Sequence, residues 1–189
     1  METTVLDGDA PVLARLCALL RDEGGLIASL VDGADGVDGP APQTDGESPA
    51  GVAARGPRAE GARGEYELLV EAIYEGYLLH YGSPRVVRTL EADLRVLAGD
   101  RLYAIGLARL VALADTPAVA ELADTITLSA LAQGAGDVEL ADAIWTAGAR
   151  AVGWGASEQH RRAKDLVAAG SAEAIEAMRT SGLAAPSTP

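Results

Sequence analysis

The sequence predicts an all-α protein, and three observations carry that prediction. Apolar residues recur at three- and four-residue intervals over most of the chain. Ala and Leu dominate, Phe is absent, and aromatic residues make up only 4% of the composition, which suits closely packed helices better than a sheet sandwich. No stretch shows the two-residue alternation of a half-buried strand, and no internal repeat is visible.

From the N-terminus, residues 11–31 read as one or two short helices. Pro11 is placed for a helix start, Val12, Leu13, Leu16, Leu19 and Leu20 keep helical spacing, and Gly24-Gly25 breaks or kinks the run. Cys17 falls within this stripe as a small core residue. Residues 32–64 then change character: 12 of the 33 are Gly or Pro, with no Leu, Ile, Met or aromatic residue. Such a segment is expected to bury too little apolar area to offset its ordering entropy, and it reads as a disordered linker. Asp32, Asp35 and Asp38 alternate with glycines there, but the spacing fits no calcium loop.

The folded body is expected over residues 65–182, with a frayed tail at 183–189. Tyr66, Leu69, Val70, Ile73, Tyr77 and Leu78 give a helix that stops at Gly82, and Ser83-Pro84 reads as an N-cap and first turn of the next. The run Leu94 to Asp115 follows, apolar on every face, and therefore expected to be enclosed by other helices. In its middle sit Gly99 and Asp100. Gly costs about 1 kcal/mol against Ala inside a helix, and an unpaired buried carboxylate costs more. Asp100 is expected to be buried and hydrogen-bonded, the alternative being an Asp that leans to solvent beside a helix-packing Gly. Thr116-Pro117 opens a helix ending near Gly134, residues 138–152 form another, and two short amphipathic helices occupy about 157–169 and 172–180.

Charge and cysteine content exclude several functions. The net charge is −13, from 28 acids and 15 bases, so binding to nucleic acid or to anionic membrane surfaces by electrostatics is not expected. The one basic cluster, Arg161, Arg162 and Lys164, reads as a solvated helix face. Cys17 is the only cysteine, which rules out a disulfide framework or a cysteine metal knuckle and fits a reducing cytoplasm. The first residues, Met1 to Asp7, lack the features of a secretory signal, and Arg109 and Asp115 interrupt the best candidate for a membrane span. A soluble, cytoplasmic protein without stable membrane insertion is expected.

A spaced constellation then stands out. Gly82-Ser83-Pro84 precedes Leu97-Ala98-Gly99-Asp100 by seventeen residues, glycine to glycine; Glu71 and Glu75 lie upstream, with His80-Tyr81 between. In this spacing the chain resembles the trans-isoprenyl diphosphate synthases over about residues 65–135. That family carries Asp-Asp-x-x-Asp, then Arg-Arg-Gly-x-Pro, then Leu-Ala-Gly-Asp in the next long helix. The resemblance implies part of the isoprenoid synthase fold. It sets Glu71 and Glu75 at the outer aspartate positions, Ala72 at the middle one, and His80-Tyr81 at the arginine positions. Glu71 and Glu75, spaced i, i+4, share a helix face and are weak candidates to hold Mg²⁺. Diphosphate ionisation requires carboxylate-held magnesium and cationic side chains. Neither His80 nor Tyr81 offers an arginine fork, and no second Asp-Asp-x-x-Asp follows.

The resemblance thus implies a catalytically incomplete protein, most like the small non-catalytic subunit of a heptaprenyl-type diphosphate synthase. It would pack against a catalytic polyprenyl synthase chain, or form a homo-oligomer. No cofactor is expected, Mg²⁺ entering only if the chain is a divergent prenyltransferase. The second reading, ahead of the divergent prenyltransferase, is a helical interaction or scaffold protein with only fold-level likeness, its N-terminal helix docking as a tethered peptide. Beside these roles stand plainer ones. Glu71 and Glu75 fit a solvated helix stripe and His80 a helix C-terminus. Arg85 and Arg88 fit either an anion site or ion pairs with nearby acids. Gln133 falls near a polar helix position of the family but also fits a surface amide. Tyr66, Tyr74, Tyr77, Tyr81 and Tyr103 fit an interface or ordinary core.

Overall fold

The computed structural model describes residues 11–32, 48–87, 89 and 91–183. Among them are α1 (Val12–Glu23), α2 (Gly25–Asp32), α3 (Pro49–Arg55), a 3₁₀ turn (Pro57–Ala59), α4 (Arg63–Tyr81), α5 (Ala92–Ala112), α6 (Thr116–Gly134), α7 (Val138–Trp154), α8 (Glu158–Ala168) and α9 (Ala174–Leu183), with no strand. The all-α class therefore stands. No helix among the described residues is long and apolar enough to cross a membrane.

α4 is the axis of the molecule. One face meets α1 and α5 through Leu16, Leu20, Leu68, Leu79 and Leu102, a cluster that α2 joins through Ile27 and Val31. Another meets α3, α6 and α7 through Tyr66, Ile73, Tyr77, Leu122 and Trp145. A third cluster, around Ile144, Val167 and Met178, joins α7 to α8 and α9. The N-terminal helices are thus part of this core, not a tethered peptide.

The linker reading fails over residues 48–64. Ser48 caps α3 by accepting from the Gly51 N–H, Pro49 fills the first helical position, and Ala50, Ala53 and Ala59 are buried. The segment orders without large side chains because α3 lies directly on the backbone of α7. A β-carbon on Gly56 would fall 2.0 Å from the Gly153 carbonyl oxygen, and one on Gly153 would fall 2.5 Å from that of Ala53. At such separations small residues make dense backbone contacts, and their low hydrophobicity is offset by close packing. Residues 33–47, with Asp35 and Asp38, lie outside the described residues.

Two further expectations change. α5 is not enclosed: Ala98, Leu102, Ile105 and Leu110 are buried, but Val96, Leu97 and Val111 are exposed, the last at 66%. An Ala- and Leu-rich helix looks apolar all round whichever face its neighbours cover. Ser83-Pro84 starts no helix either. Residues 82–91 form a connection and α5 begins only at Ala92. Asp115, not Thr116, caps α6, accepting from the Ala118 N–H at 3.1 Å.

Replacing Gly56 by Ala should destabilise the protein by about 1–3 kcal/mol or more, because the added methyl meets backbone, not a yielding side chain. Gly134→Ala, where a β-carbon meets nothing within 4 Å, should be neutral or gain up to about 1 kcal/mol from helix propensity. Paired urea denaturation curves would separate the two; equal midpoints would contradict the α3–α7 contact.

Candidate functional site

The residues singled out by spacing converge where α4, the 82–91 connection and α5 meet. Glu71 and Glu75 occupy successive turns of α4 on one face. Both are 0% exposed, so they are neither a solvated stripe nor presented to a ligand. The connection folds back over them. Glu75 Oε1 accepts backbone hydrogen bonds from Arg85 at 2.6 Å, Val86 at 2.7 Å and Val87 at 3.4 Å. The Arg85 guanidinium bonds Glu75 Oε2 through Nε at 3.2 Å and Glu71 Oε1 through its terminal nitrogen. Its plane also lies 5.2 Å from the Tyr74 ring centre. The segment after the Ser-Pro turn thus spends its N–H groups on a buried carboxylate.

This is a sealed clamp with a charge imbalance, two carboxylates sharing one guanidinium. Glu71 Oε2 has no hydrogen-bond partner among the described residues. Burial pushes the Glu71 carboxyl up, the charge and hydrogen bond of Arg85 pull it back only in part, and Glu75 and Glu67 add to the rise. The fold therefore holds this proton more tightly than the unfolded chain does. The associated stability is complete below the ordinary carboxylate pKa and is lost as pH rises through the elevated one.

Gly99 and Asp100 do different work from that expected. α4 and α5 approach closely through Gly76, Gly99 and Gly106. A β-carbon on Gly76 would lie 3.0 Å from the Gly99 carbonyl oxygen, and one on Gly106 would lie 2.9 Å from that of Leu69. Gly99 also seats His80, whose Nε2 would be 2.6 Å from an added β-carbon. His80 stacks on Tyr103 with ring centres 5.3 Å apart and an interplanar angle of 18°. The Asp100 side chain is 65% exposed, not buried, and its Oδ1 lies 3.3 Å from His80 Nε2, in ion-pair range but out of line for a hydrogen bond. One helical step past Gly99 faces away from α4, and solvent removes the need for a buried partner.

Tyr81 is half-exposed and continues an aromatic layer of Tyr74, Tyr77 and Trp145, with ring centres 4.9–5.9 Å apart. Gln133 joins this layer as a half-buried donor, its Nε2 bonding the Tyr77 hydroxyl at 2.6 Å. Arg88 lies outside the described residues. The rings touch one another, so the layer is core packing between α4 and α7 and leaves no slot for a ligand.

Sequence reasoning missed two polar clusters. Asp115 accepts from the Tyr66 hydroxyl and pairs with Arg58 while capping α6, tying α4, the 3₁₀ turn and α6 together. Burial raises its carboxyl, but Tyr66, the Ala118 N–H and Arg58 outweigh burial and hold it below the usual range. Tyr66, buried against that carboxylate, is pushed up to about 12. In the second cluster, His160 Nδ1 lies 3.3 Å from Ser181 Oγ and its Nε2 lies 3.2 Å from Glu121 Oε2. Lys164 Nζ reaches Glu121 at 2.9 Å and Asp124 at 2.7 Å. Serine, histidine and carboxylate in a row suggest nucleophilic chemistry, but Ser181 is buried and bonds the Met178 carbonyl, so no substrate can approach it. The cluster locks α6, α8 and α9 together. Helical spacing hinted only at Lys164, three residues past Arg161. The described residues contain no group of three or more His, Cys, Asp or Glu able to hold a metal ion. No protein-family model matches the chain, and no curated protein or solved structure does either.

Glu75→Gln should cost roughly 3–5 kcal/mol, since its amide would turn a donor toward Arg85 and leave the guanidinium poorly paired. Glu71→Gln keeps an acceptor for Arg85 and removes the surplus charge. It should be near neutral or stabilising at pH 7 and should flatten the decline of stability with rising pH. Denaturation midpoints measured across pH would test this, and equal losses for the two variants would refute the division of labour.

Proposed function

We propose that this chain is a non-catalytic helical subunit, a catalytically incomplete relative of the isoprenyl diphosphate synthases that assembles with a catalytic polyprenyl synthase chain. One observation carries the non-catalytic half of the reading. Glu71 and Glu75, the residues at the positions expected to face magnesium and diphosphate, are sealed at 0% exposure and engaged by Arg85 and its neighbouring N–H groups. Ionising an allylic diphosphate demands carboxylates open to metal and cations open to phosphate oxygens. Here the nearest guanidinium neutralises the acids themselves, and His80, at an arginine position, is held between Tyr103 and Asp100. The accessory role rests on the resemblance in spacing. Among known roles of that family, a subunit that helps bound the product tunnel asks for helical surface and no metal site.

A second reading is a helical scaffold protein whose likeness is only fold-deep. The same clamp favours it, because Glu71 and Glu75 have a structural use that needs no enzymatic ancestry. A divergent prenyltransferase would have to open the clamp before binding magnesium.

With Mg²⁺, isopentenyl diphosphate and an allylic diphosphate, the purified chain should make no elongated product. Co-expressed with a polyprenyl synthase chain from the same genome that carries both intact aspartate motifs, it should co-purify and change product length. Turnover by the chain alone would overturn the non-catalytic reading. Absence of both co-purification and any effect on product length would leave the scaffold reading in its place.

A further inference from the structure

α7 and α9 turn a shared trough toward solvent. α7 lines it with Glu139, Asp142, Ala143 and Thr146, spaced i, i+3, i+4 and i+7, and α9 with Arg179, Gly182 and Leu183, spaced i, i+3 and i+4. The two stripes enclose about 390 Å³. Ala143 and Gly182 give the trough small, apolar walls, and Leu183 stands 84% exposed at the end of α9.

Asp142 is the unsettled group here. Its neighbour Glu139 meets Arg179 across the trough at 2.8 Å, but among the described residues no hydrogen bond or ion pair reaches the Asp142 carboxylate. Burial pushes that carboxyl above the usual range, and Glu139 adds to the rise. A cation set against it would reverse both effects. Glu75, Asp115 and Glu121, the acids drawn into helix junctions, have each met an arginine or a lysine. Asp142 shares their partial desolvation and lacks the partner.

The chemistry of the trough selects its occupant. Two helical ridges with small residues between them accept a third helix. Its apolar side chains would sit over Ala143 and Gly182 and against Leu183, with one basic side chain reaching Asp142. A second copy of this chain is disfavoured, since −13 meets −13 and like charge opposes the encounter. The residues that follow Leu183, Ala-Ala-Pro-Ser-Thr-Pro, carry no cationic side chain. The same net charge steers a basic partner inward from a distance.

We propose that the α7–α9 trough is a docking site for a basic amphipathic helix of another protein, seated by its apolar face and fixed in register by a lysine or arginine on Asp142. The proposal does not rest on the accessory-subunit reading, which draws on the spacing between Glu71 and Asp100.

Fluorescence anisotropy on the full chain tests it, with a labelled amphipathic Leu/Lys peptide of about 18 residues, roughly five helical turns. The control peptide has the same composition with its leucines dispersed around the helix. The amphipathic peptide should bind, and the dispersed one should bind about tenfold more weakly or worse. Asp142→Lys and Leu183→Glu should each weaken the amphipathic peptide by about tenfold or more. Asp93→Lys makes the same change of charge on α5 and should weaken it by less than about twofold in moderate salt. Circular dichroism and Tm of all three variants should stay near wild type, since the three positions are exposed. Amide resonances of Thr146 and Gly182 should shift on titration. Equal affinity for the two peptides overturns the proposal, as does binding indifferent to Asp142→Lys or Leu183→Glu. An Asp93→Lys loss as large as that of Asp142→Lys reduces the effect to net charge and overturns it too. Self-association of the wild type that Leu183→Glu abolishes would put a second copy in the trough and overturn the choice of occupant.

Discussion

The carboxylate of Glu75 is the point on which the rest of the structure turns. It sits in the helix that two of the three core clusters share, and it draws in three consecutive backbone N–H groups and a guanidinium from a segment ten to twelve residues away. That fixes where the chain goes after α4. Val86 and Val87 are carried into the core beside Leu68 and Leu79, and α5 is returned antiparallel along the face lined by Gly76. A connection of ten residues with so few apolar anchors would otherwise stay loose, since each ordered residue costs roughly 1–2 kcal/mol of backbone entropy. Burying a carboxylate is costly in turn, and four donors on one group offset it. Glu71 is the weaker partner: it receives one Arg85 contact, keeps an orphan oxygen and tends to retain its proton.

Around that clamp, small residues set distances and polar residues set register. Glycines bring α5 against α4 and α3 against α7 at separations no side chain would permit. α4 and α7 stay farther apart, and the gap is filled by Tyr74, Tyr77 and Trp145. Asp115 and the Glu121–Lys164–His160 cluster then lock the remaining helices in place. Each buried carboxylate thus lies at a junction between helices. Breaking such a group would cost more than forming it returns, so these sites specify the arrangement more than they add to its stability.

The helices were legible because their signals are local. Apolar spacing, Pro at helix starts and Gly at stops placed most boundaries within a few residues of α1, α2, α4 and α6–α9. What escaped depends on partners far along the chain. Residues 48–64 look too poor to fold because apolar content was taken as the measure of packing, whereas Ala53, Gly56 and Gly153 pack by lacking side chains. Glu71 and Glu75 look solvated because the donors that make burial tolerable are backbone N–H groups of Arg85, Val86 and Val87, which every residue but proline carries. Asp100 looks buried because its neighbours are apolar, but Val96 and Leu97 are themselves exposed. The Arg85 pairing with nearby acids was the one part of the candidate site that charge and proximity alone made visible.

The use of charge inside this molecule bears on what it can do. A metal-dependent transferase keeps acids and cations apart across a cleft, unneutralised until substrate arrives, and accepts the loss of stability that follows. Here Glu71, Glu75, Asp115 and Glu121 have each met arginine, lysine, histidine or tyrosine within the fold. Electrostatic free energy has gone into holding helices in place instead of into a poised site. What remains unspent is surface, chiefly the apolar outer side of α5 and the groove beside α2. The accessory role proposed above draws on that surface, since such a role asks for a rigid helical face and no poised charge.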